Sequence, residues 1–126
     1  MKKILILESG KAISTMINNL IKNKSHEMEM IISRNNGSKR IPNEIPDLVI
    51  ADLTSIKKEK VELLMQLKNN PVISLVPFLF FTSKNGKLNE EVNSTCNFYQ
   101  IKPFTEQELF VSIKKIFNQV NNLSPW

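Results

Sequence analysis

Four short runs of the chain are apolar at nearly every position, which is the pattern of strands buried on both faces. They are Ile4–Leu7, Leu48–Ala51, Phe78–Phe81 and, with polar interruptions, Phe98–Ile101. Continuous runs of this length are typical of parallel sheets that helices cover on both sides. A fifth strand is predicted over residues 28–32, where acidic residues alternate with methionines, so we place it nearer an edge of the sheet.

Apolar residues at helical spacing follow several of these runs. The first helix is marked by Ile13, Met16, Ile17, Leu20 and Ile21, and a second by Val61, Leu64, Met65 and Leu67. The last helix has the clearest start, because Thr105 can cap it and Glu108 completes a capping box three residues later. Its apolar stripe consists of Leu109, Ile113, Ile116, Phe117 and Val120.

Two connections between strands are less regular. Residues 33–46 contain an Asn-Asn-Gly sequence and two prolines, so we expect one helical turn or an irregular loop there instead of a full helix. A short polar helix is predicted between Gly86 and Cys96 on a weaker pattern. The alternation of strands and helices predicts a doubly wound α/β sheet with right-handed crossovers.

Length and composition favour one domain. The 126 residues suit a single core, and we expect a domain over residues 1–120 followed by a frayed tail over 121–126. No apolar stretch approaches the roughly 20 residues that a membrane span needs. Cys96 is the single cysteine, so no internal disulfide forms, which fits a reducing cytoplasm. We therefore expect a cytoplasmic protein that does not contact the membrane.

The formal charge of +5 raises the question of an anionic partner. The lysines are dispersed along the whole chain, which is usual for solvated surfaces and argues against a nucleic-acid footprint. His26 stands alone in a polar stretch and is interpreted as a surface residue. Cys96 has no basic neighbour to activate it and is interpreted as a small, half-buried residue.

The residues that follow the predicted strands carry the chemistry. They are Glu8, Asp52, Thr82 and Lys102, and ligands of open α/β sheets bind beyond these carboxyl ends. Asp52 would be a carboxylate nucleophile that accepts a phosphoryl group as an acyl phosphate. Lys102 and the Thr82 hydroxyl would contact the transferred oxygens. A magnesium ion held by Glu8, Asp52 and a backbone carbonyl would offset the repulsion between carboxylate and phosphoryl oxygens.

These strand ends resemble the receiver domains of two-component response regulators, including the single-domain chemotaxis type. The likeness runs from Lys3 to about Phe117 and is most specific in three segments, Pro46–Asp52, Val76–Ser83 and Tyr99–Phe104. It implies a five-stranded parallel sheet of the flavodoxin-like kind, in strand order 2-1-3-4-5. It also implies that Asp52 is the phosphoacceptor and that Lys102 precedes a cis proline.

The same resemblance implies a switch and partners. Tyr99 stands at the position of the aromatic residue that turns inward as the Thr82 hydroxyl moves to the phosphoryl group. The phosphoryl donor would be a histidine kinase or phosphotransfer protein, and the signal would leave through the face of the fourth helix, fifth strand and fifth helix, to a downstream protein or a second copy. Such a domain is a phosphoacceptor with slow autodephosphorylation, not an enzyme with a separate substrate.

The chain departs from the family's pattern in three places. Ser9 replaces the second of two adjacent acids, which usually supplies a metal ligand. The loop over residues 53–60 lacks the usual Met-Pro and Asp-Gly, although Thr54 still offers its backbone carbonyl to magnesium. The second crossover is short. These departures leave a second hypothesis open, a pseudo-receiver that binds partners without phosphorylation. Glu8 is in turn either a metal ligand or an ion-pair partner of Lys102.

Overall fold

Five parallel strands form one sheet in the order β2-β1-β3-β4-β5. The computed structural model describes residues 1–7, 11–24, 27–32, 45–54, 57–83 and 97–123. The strands are β1 (Lys2–Leu7), β2 (Met28–Ile32), β3 (Leu48–Asp52), β4 (Phe78–Thr82) and β5 (Asn97–Ile101). The helices of the described residues are α1 (Ala12–Lys24), α2 (Lys58–Asn69) and α3 (Glu106–Leu123), and a 3₁₀ turn, η1 (Ile73–Leu75), precedes β4. The predicted fold class and strand order are confirmed.

Helices cover the sheet on both faces, and two apolar clusters fill the space between. On one face α1 and α3 pack against the strands, and α2 with η1 packs against the other. Every residue of β3 and β4 is buried, as the continuous apolar runs predicted. Strand β2 lies at an edge, which confirms the interpretation of its alternating pattern.

The start of α3 forms as the sequence predicted. The Thr105 hydroxyl accepts a hydrogen bond from the Glu108 N–H at 3.1 Å, and the Glu108 carboxylate accepts one from the Thr105 N–H at 3.1 Å. This reciprocal pair satisfies donors that the first helical turn leaves without a partner. The helix continues to Leu123, so it enters the stretch over residues 121–126 that was expected to be a frayed tail.

Several predictions from the sequence fall on residues that the structure does not describe. They concern the loop over residues 33–44, the polar helix between Gly86 and Cys96, and the single residues Glu8, Ser9, His26 and Cys96. Among the helices that are described, none has both the length and the apolar character to cross a membrane.

Candidate phosphoacceptor site

Three predicted site residues lie at consecutive strand ends on one edge of the sheet. Asp52 ends β3, Thr82 ends β4, and Lys102 follows β5. The register pairs Asp52 with Phe81 and Thr82 with Ile101, and the Lys102 N–H donates to the Thr82 carbonyl at 2.7 Å. Because the strands are parallel, all three side chains leave the sheet at its carboxyl edge.

Lys102 reaches Asp52 across the end of the intervening strand. Strands β3 and β5 lie two spacings apart, about 10 Å, and the four-carbon stem of a lysine bridges this gap. Its ammonium forms an ion pair with Asp52 Oδ2. The peptide bond between Lys102 and Pro103 is cis, as the family resemblance implied. The ion pair of Lys102 therefore joins it to Asp52, the predicted phosphoacceptor.

Asp52 is a buried carboxylate with donors on both of its oxygens. The residue is 4% exposed. Its Oδ1 accepts hydrogen bonds from the Thr54 N–H at 3.0 Å and from the Thr54 hydroxyl at 2.7 Å, while Oδ2 faces the Lys102 ammonium. Burying a carboxylate is costly unless such partners compensate for the lost water. The contact to a backbone N–H two residues later is the side-chain turn that aspartate favours after a strand.

The Thr54 side chain belongs to the site, which the sequence reasoning missed. That reasoning assigned only the Thr54 backbone carbonyl, as a metal ligand. In the structure the Thr54 hydroxyl also accepts a hydrogen bond from the Lys102 ammonium at 2.9 Å. The signal available in the sequence was the Asp-x-Thr spacing, because a hydroxyl two residues after an aspartate can meet its carboxylate.

Thr82 and Tyr99 differ in their surroundings. Thr82 is 8% exposed, and within the part of the chain that the structure describes no hydrogen bond joins its hydroxyl. Tyr99 is 41% exposed; its ring lies 5.8 Å from the Phe80 ring, and its hydroxyl accepts a hydrogen bond from the Asn97 amide at 3.5 Å. The predicted switch residues are thus a buried hydroxyl and an outward-facing ring on neighbouring strands.

The oxygen atoms around Asp52 are of the chemical type that binds magnesium. Magnesium prefers hard oxygen ligands, and the Asp52 carboxylate and the Thr54 carbonyl are of this type. The Lys102 ammonium already places a cation beside Oδ2, so the site tolerates positive charge there. No group of three or more histidine, cysteine or acidic side chains suited to a metal occurs among the described residues, and Glu8 is outside them.

Comparison with curated proteins finds distant relatives that are response regulators. The chain is 24% identical over 120 residues to the phosphate regulon transcriptional regulatory protein PhoB of Rhizobium meliloti, covering 93% of the chain and 52% of the relative. It is 28% identical over 119 residues to the transcriptional regulatory protein CrdR of Helicobacter pylori, covering 93% and 55%. The chain thus spans about half the length of these relatives. No family model matches the sequence.

Solved structures of receiver domains share the fold of this chain. A response-regulator-receiver-modulated diguanylate cyclase from Pelobacter carbinolicus superposes with a TM-score of 0.69 at 25% identity, covering all of both chains. The chemotaxis response regulator CheY4 of Vibrio cholerae has a TM-score of 0.68 at 16% identity and covers 92% of this chain and 98% of its own. With the strand order, the strand-end residues and the relatives in agreement, this chain has the fold of response-regulator receiver domains and is similar to them in sequence.

Proposed function

We propose that this receiver domain accepts a phosphoryl group on Asp52 from a sensor histidine kinase or a phosphotransfer protein, and signals through a change of conformation. The observation that carries the proposal is the buried Asp52 carboxylate with Lys102 on it and Thr82 at the neighbouring strand end. A lone strand-end aspartate has many structural uses. An acid, a cation and a buried hydroxyl on three consecutive strands favour one shared site.

The proposed reaction transfers a phosphoryl group from a phosphohistidine of the donor protein to Asp52. An Asp52 oxygen attacks the phosphorus of a phosphohistidine, the new P–O bond forms, and the P–N bond breaks with its electron pair returning to the imidazole, which takes a proton. The product is an acyl phosphate. Lys102 balances the negative charge of the phosphoryl oxygens, and the Thr82 hydroxyl donates a hydrogen bond to one of them. Thr82 suits this role because its described surroundings leave the hydroxyl without a hydrogen bond.

Magnesium would be held by Glu8, Asp52 and the Thr54 carbonyl. When bound, the ion supplies positive charge that offsets the repulsion between the carboxylate and the incoming phosphoryl group. A receiver domain from the sensor histidine kinase PA1611 of Pseudomonas aeruginosa, with a TM-score of 0.66 and 14% identity, coordinates magnesium in its active-site cleft. That likeness supports the same ion for this chain, and Ser9 leaves one fewer acid to bind it.

The signal would leave through the side of the molecule formed by β5 and α3. Tyr99, Ile101 and Val111 are apolar or aromatic side chains that stay exposed there. A cavity of about 160 Å³ lies between the two elements beside Tyr99. An inward turn of the Tyr99 ring would change this surface, so a downstream protein or a second copy could distinguish the two states.

The test is covalent labelling. The protein is incubated with acetyl phosphate or phosphoramidate and magnesium, and its intact mass is measured. We expect one added phosphoryl group that hydroxylamine removes, and no addition to Asp52→Asn. Asp47→Asn is the matched control, because Asp47 lies just before β3 at the opposite edge of the sheet. An unchanged wild-type mass would contradict the proposal.

One observation favours the pseudo-receiver as a second candidate. Both oxygens of Asp52 already hold donors from within the site, so the carboxylate is satisfied without phosphorylation. In that case the domain would bind its partner constitutively. A phosphoryl adduct that depends on Asp52 and is labile to hydroxylamine would exclude this second function.

A further inference from the structure

We propose that Thr54 is a positioning residue whose hydroxyl clamps Lys102 onto Asp52 and keeps the acceptor closed until a divalent cation opens it. This inference rests on the proposed function and concerns how that same site is regulated. The residues involved, Asp52, Thr54 and Lys102, are called the clamp below.

The hydrogen bonds of the clamp have consistent directions. A threonine hydroxyl has one proton to donate and lone pairs that accept. Here the proton goes to Asp52 Oδ1 at 2.7 Å, and a lone pair accepts from the Lys102 ammonium at 2.9 Å. The ammonium also contacts Asp52 Oδ2, so carboxylate, hydroxyl and ammonium close a ring. Each contact of the hydroxyl is to a charged group, and such hydrogen bonds are stronger than those between neutral groups.

The ring is held in place by the backbone. The Thr54 N–H donates to Asp52 Oδ1 at 3.0 Å, so the carboxylate and the threonine are fixed relative to each other before the lysine arrives. The β3 strand pairing continues one residue beyond Asp52, since the Leu53 N–H donates to the Phe81 carbonyl at 3.0 Å. The hydroxyl, on an exposed turn residue, is therefore presented to Lys102 directly after the paired strand, and the bond from the Thr54 N–H to Asp52 limits its freedom before the ion pair forms.

The clamp competes with a cation for the same carboxylate. Oδ1 already accepts two hydrogen bonds, and Oδ2 carries the ammonium. A magnesium ion held by the Asp52 carboxylate would compete with Lys102 for it, and Lys102 would lose its hydrogen bond to Thr54 on leaving. The hydroxyl thus stabilises the closed arrangement more than the open one. The apparent affinity of a ligand that binds only the open arrangement is its intrinsic affinity multiplied by the fraction that is open.

The first test is a titration with magnesium chloride, followed by the backbone amide NMR signals of residues 52–54. Thr54→Val keeps the shape of the side chain and removes the hydroxyl, so we expect its midpoint to fall about tenfold, the equivalent of one hydrogen bond of about 1.4 kcal/mol. Thr54→Ser keeps the hydroxyl and should titrate close to wild type. Thr15→Val, at an exposed threonine of α1, is the matched control and should leave the midpoint unchanged.

The second test asks whether Thr54 acts through the lysine. Lys102→Met should lower the magnesium midpoint by itself, and adding Thr54→Val to it should change nothing further. If Lys102→Met does not fold, Lys102→Gln serves, because it also lacks the charge. The clamp is overturned if Thr54→Val has the same magnesium midpoint as wild type, or if its amide signals do not shift with magnesium at all. It is also overturned if Thr54→Val lowers the midpoint as much in Lys102→Met as it does in wild type.

These outcomes are separable from those of the proposed function. Phosphorylation of Asp52 with identical midpoints in wild type and Thr54→Val would overturn the clamp and leave the acceptor role intact. Shifted midpoints together with an unchanged mass after acetyl phosphate treatment would support the clamp and contradict phosphorylation.

Discussion

Strands β3 and β5 carry the two charged groups of the site at their ends, yet they differ in how deeply they are buried. All five residues of β3 are buried, including the carboxylate that ends it. In β5 no residue is fully buried, and Tyr99 and Ile101 are 41% and 53% exposed. The difference follows from position, because β3 is in the middle of the sheet with helices on both faces and β5 is at its edge.

The site therefore combines a buried charge, on Asp52, with a partly exposed one, on Lys102. Asp52 is held by a strand that cannot shift without disturbing the core on both faces. Lys102 follows a half-exposed edge strand, and its own side chain is 36% exposed. A charge on a loosely packed element can change partners at lower cost than one in the core. We therefore expect rearrangement during signalling to begin on the β5 side.

The largest difference in stability is expected when an isoleucine is shortened to alanine in β3 and in β5. Ile50→Ala in β3 removes a completely buried side chain, and we expect it to lower the free energy of unfolding by about 2–5 kcal/mol. Ile101→Ala in β5 removes one that is 53% exposed, and we expect a loss of about 1 kcal/mol or less. Urea unfolding monitored by circular dichroism measures both. Equal losses would show that the edge strand is as tightly packed as the centre.

A smaller effect is expected when the buried acid loses its cation. Lys102→Met should cost about 1–3 kcal/mol, less than the ~3–5 kcal/mol for breaking a fully buried pair, because the lysine is partly solvated. Adding Asp52→Asn removes the charge left behind and should recover most of the loss. The double-mutant cycle is measured by urea unfolding. Additive losses would mean that the two side chains contribute to stability independently.

The smallest effect is expected at the anchor of the edge strand. The Lys68 ammonium on α2 lies 3.8 Å from the centre of the Phe78 ring and donates a hydrogen bond to the Asn97 side chain at the start of β5. Lys68→Met keeps much of the apolar stem and loses the charge, so we expect a loss of about 1 kcal/mol. Amide hydrogen exchange should become faster in β5 and stay unchanged in β3. Faster exchange in both strands alike would contradict a local anchor.

The sequence was sufficient to predict most of the sheet and the strand-end positions of three candidate site residues. Strands buried on both faces require uninterrupted apolar runs, so β1, β3 and β4 were visible as such, and the edge position of β2 followed from its alternating acids. Parallel strands end at one edge, so the sequence predicted that Asp52, Thr82 and Lys102 would share that edge, while the strand order 2-1-3-4-5 came from the resemblance to receiver domains. The capping box of α3 depends on two side chains three residues apart and was equally local.

The tertiary structure alone decided which groups touch. The hydroxyl of Thr54 turns back to Asp52 only because the backbone after β3 places the two residues in a tight turn, and no pattern of apolar residues encodes that. The ammonium of Lys102 lies on Asp52 because the register across β4 brings the end of β5 level with the end of β3. The sequence thus determined, through local periodicity, which residues follow the strands. The contact of Thr54 with Asp52 is made within one turn, whereas the contact of Lys102 with Asp52 depends on the distance between strands that are far apart in the chain.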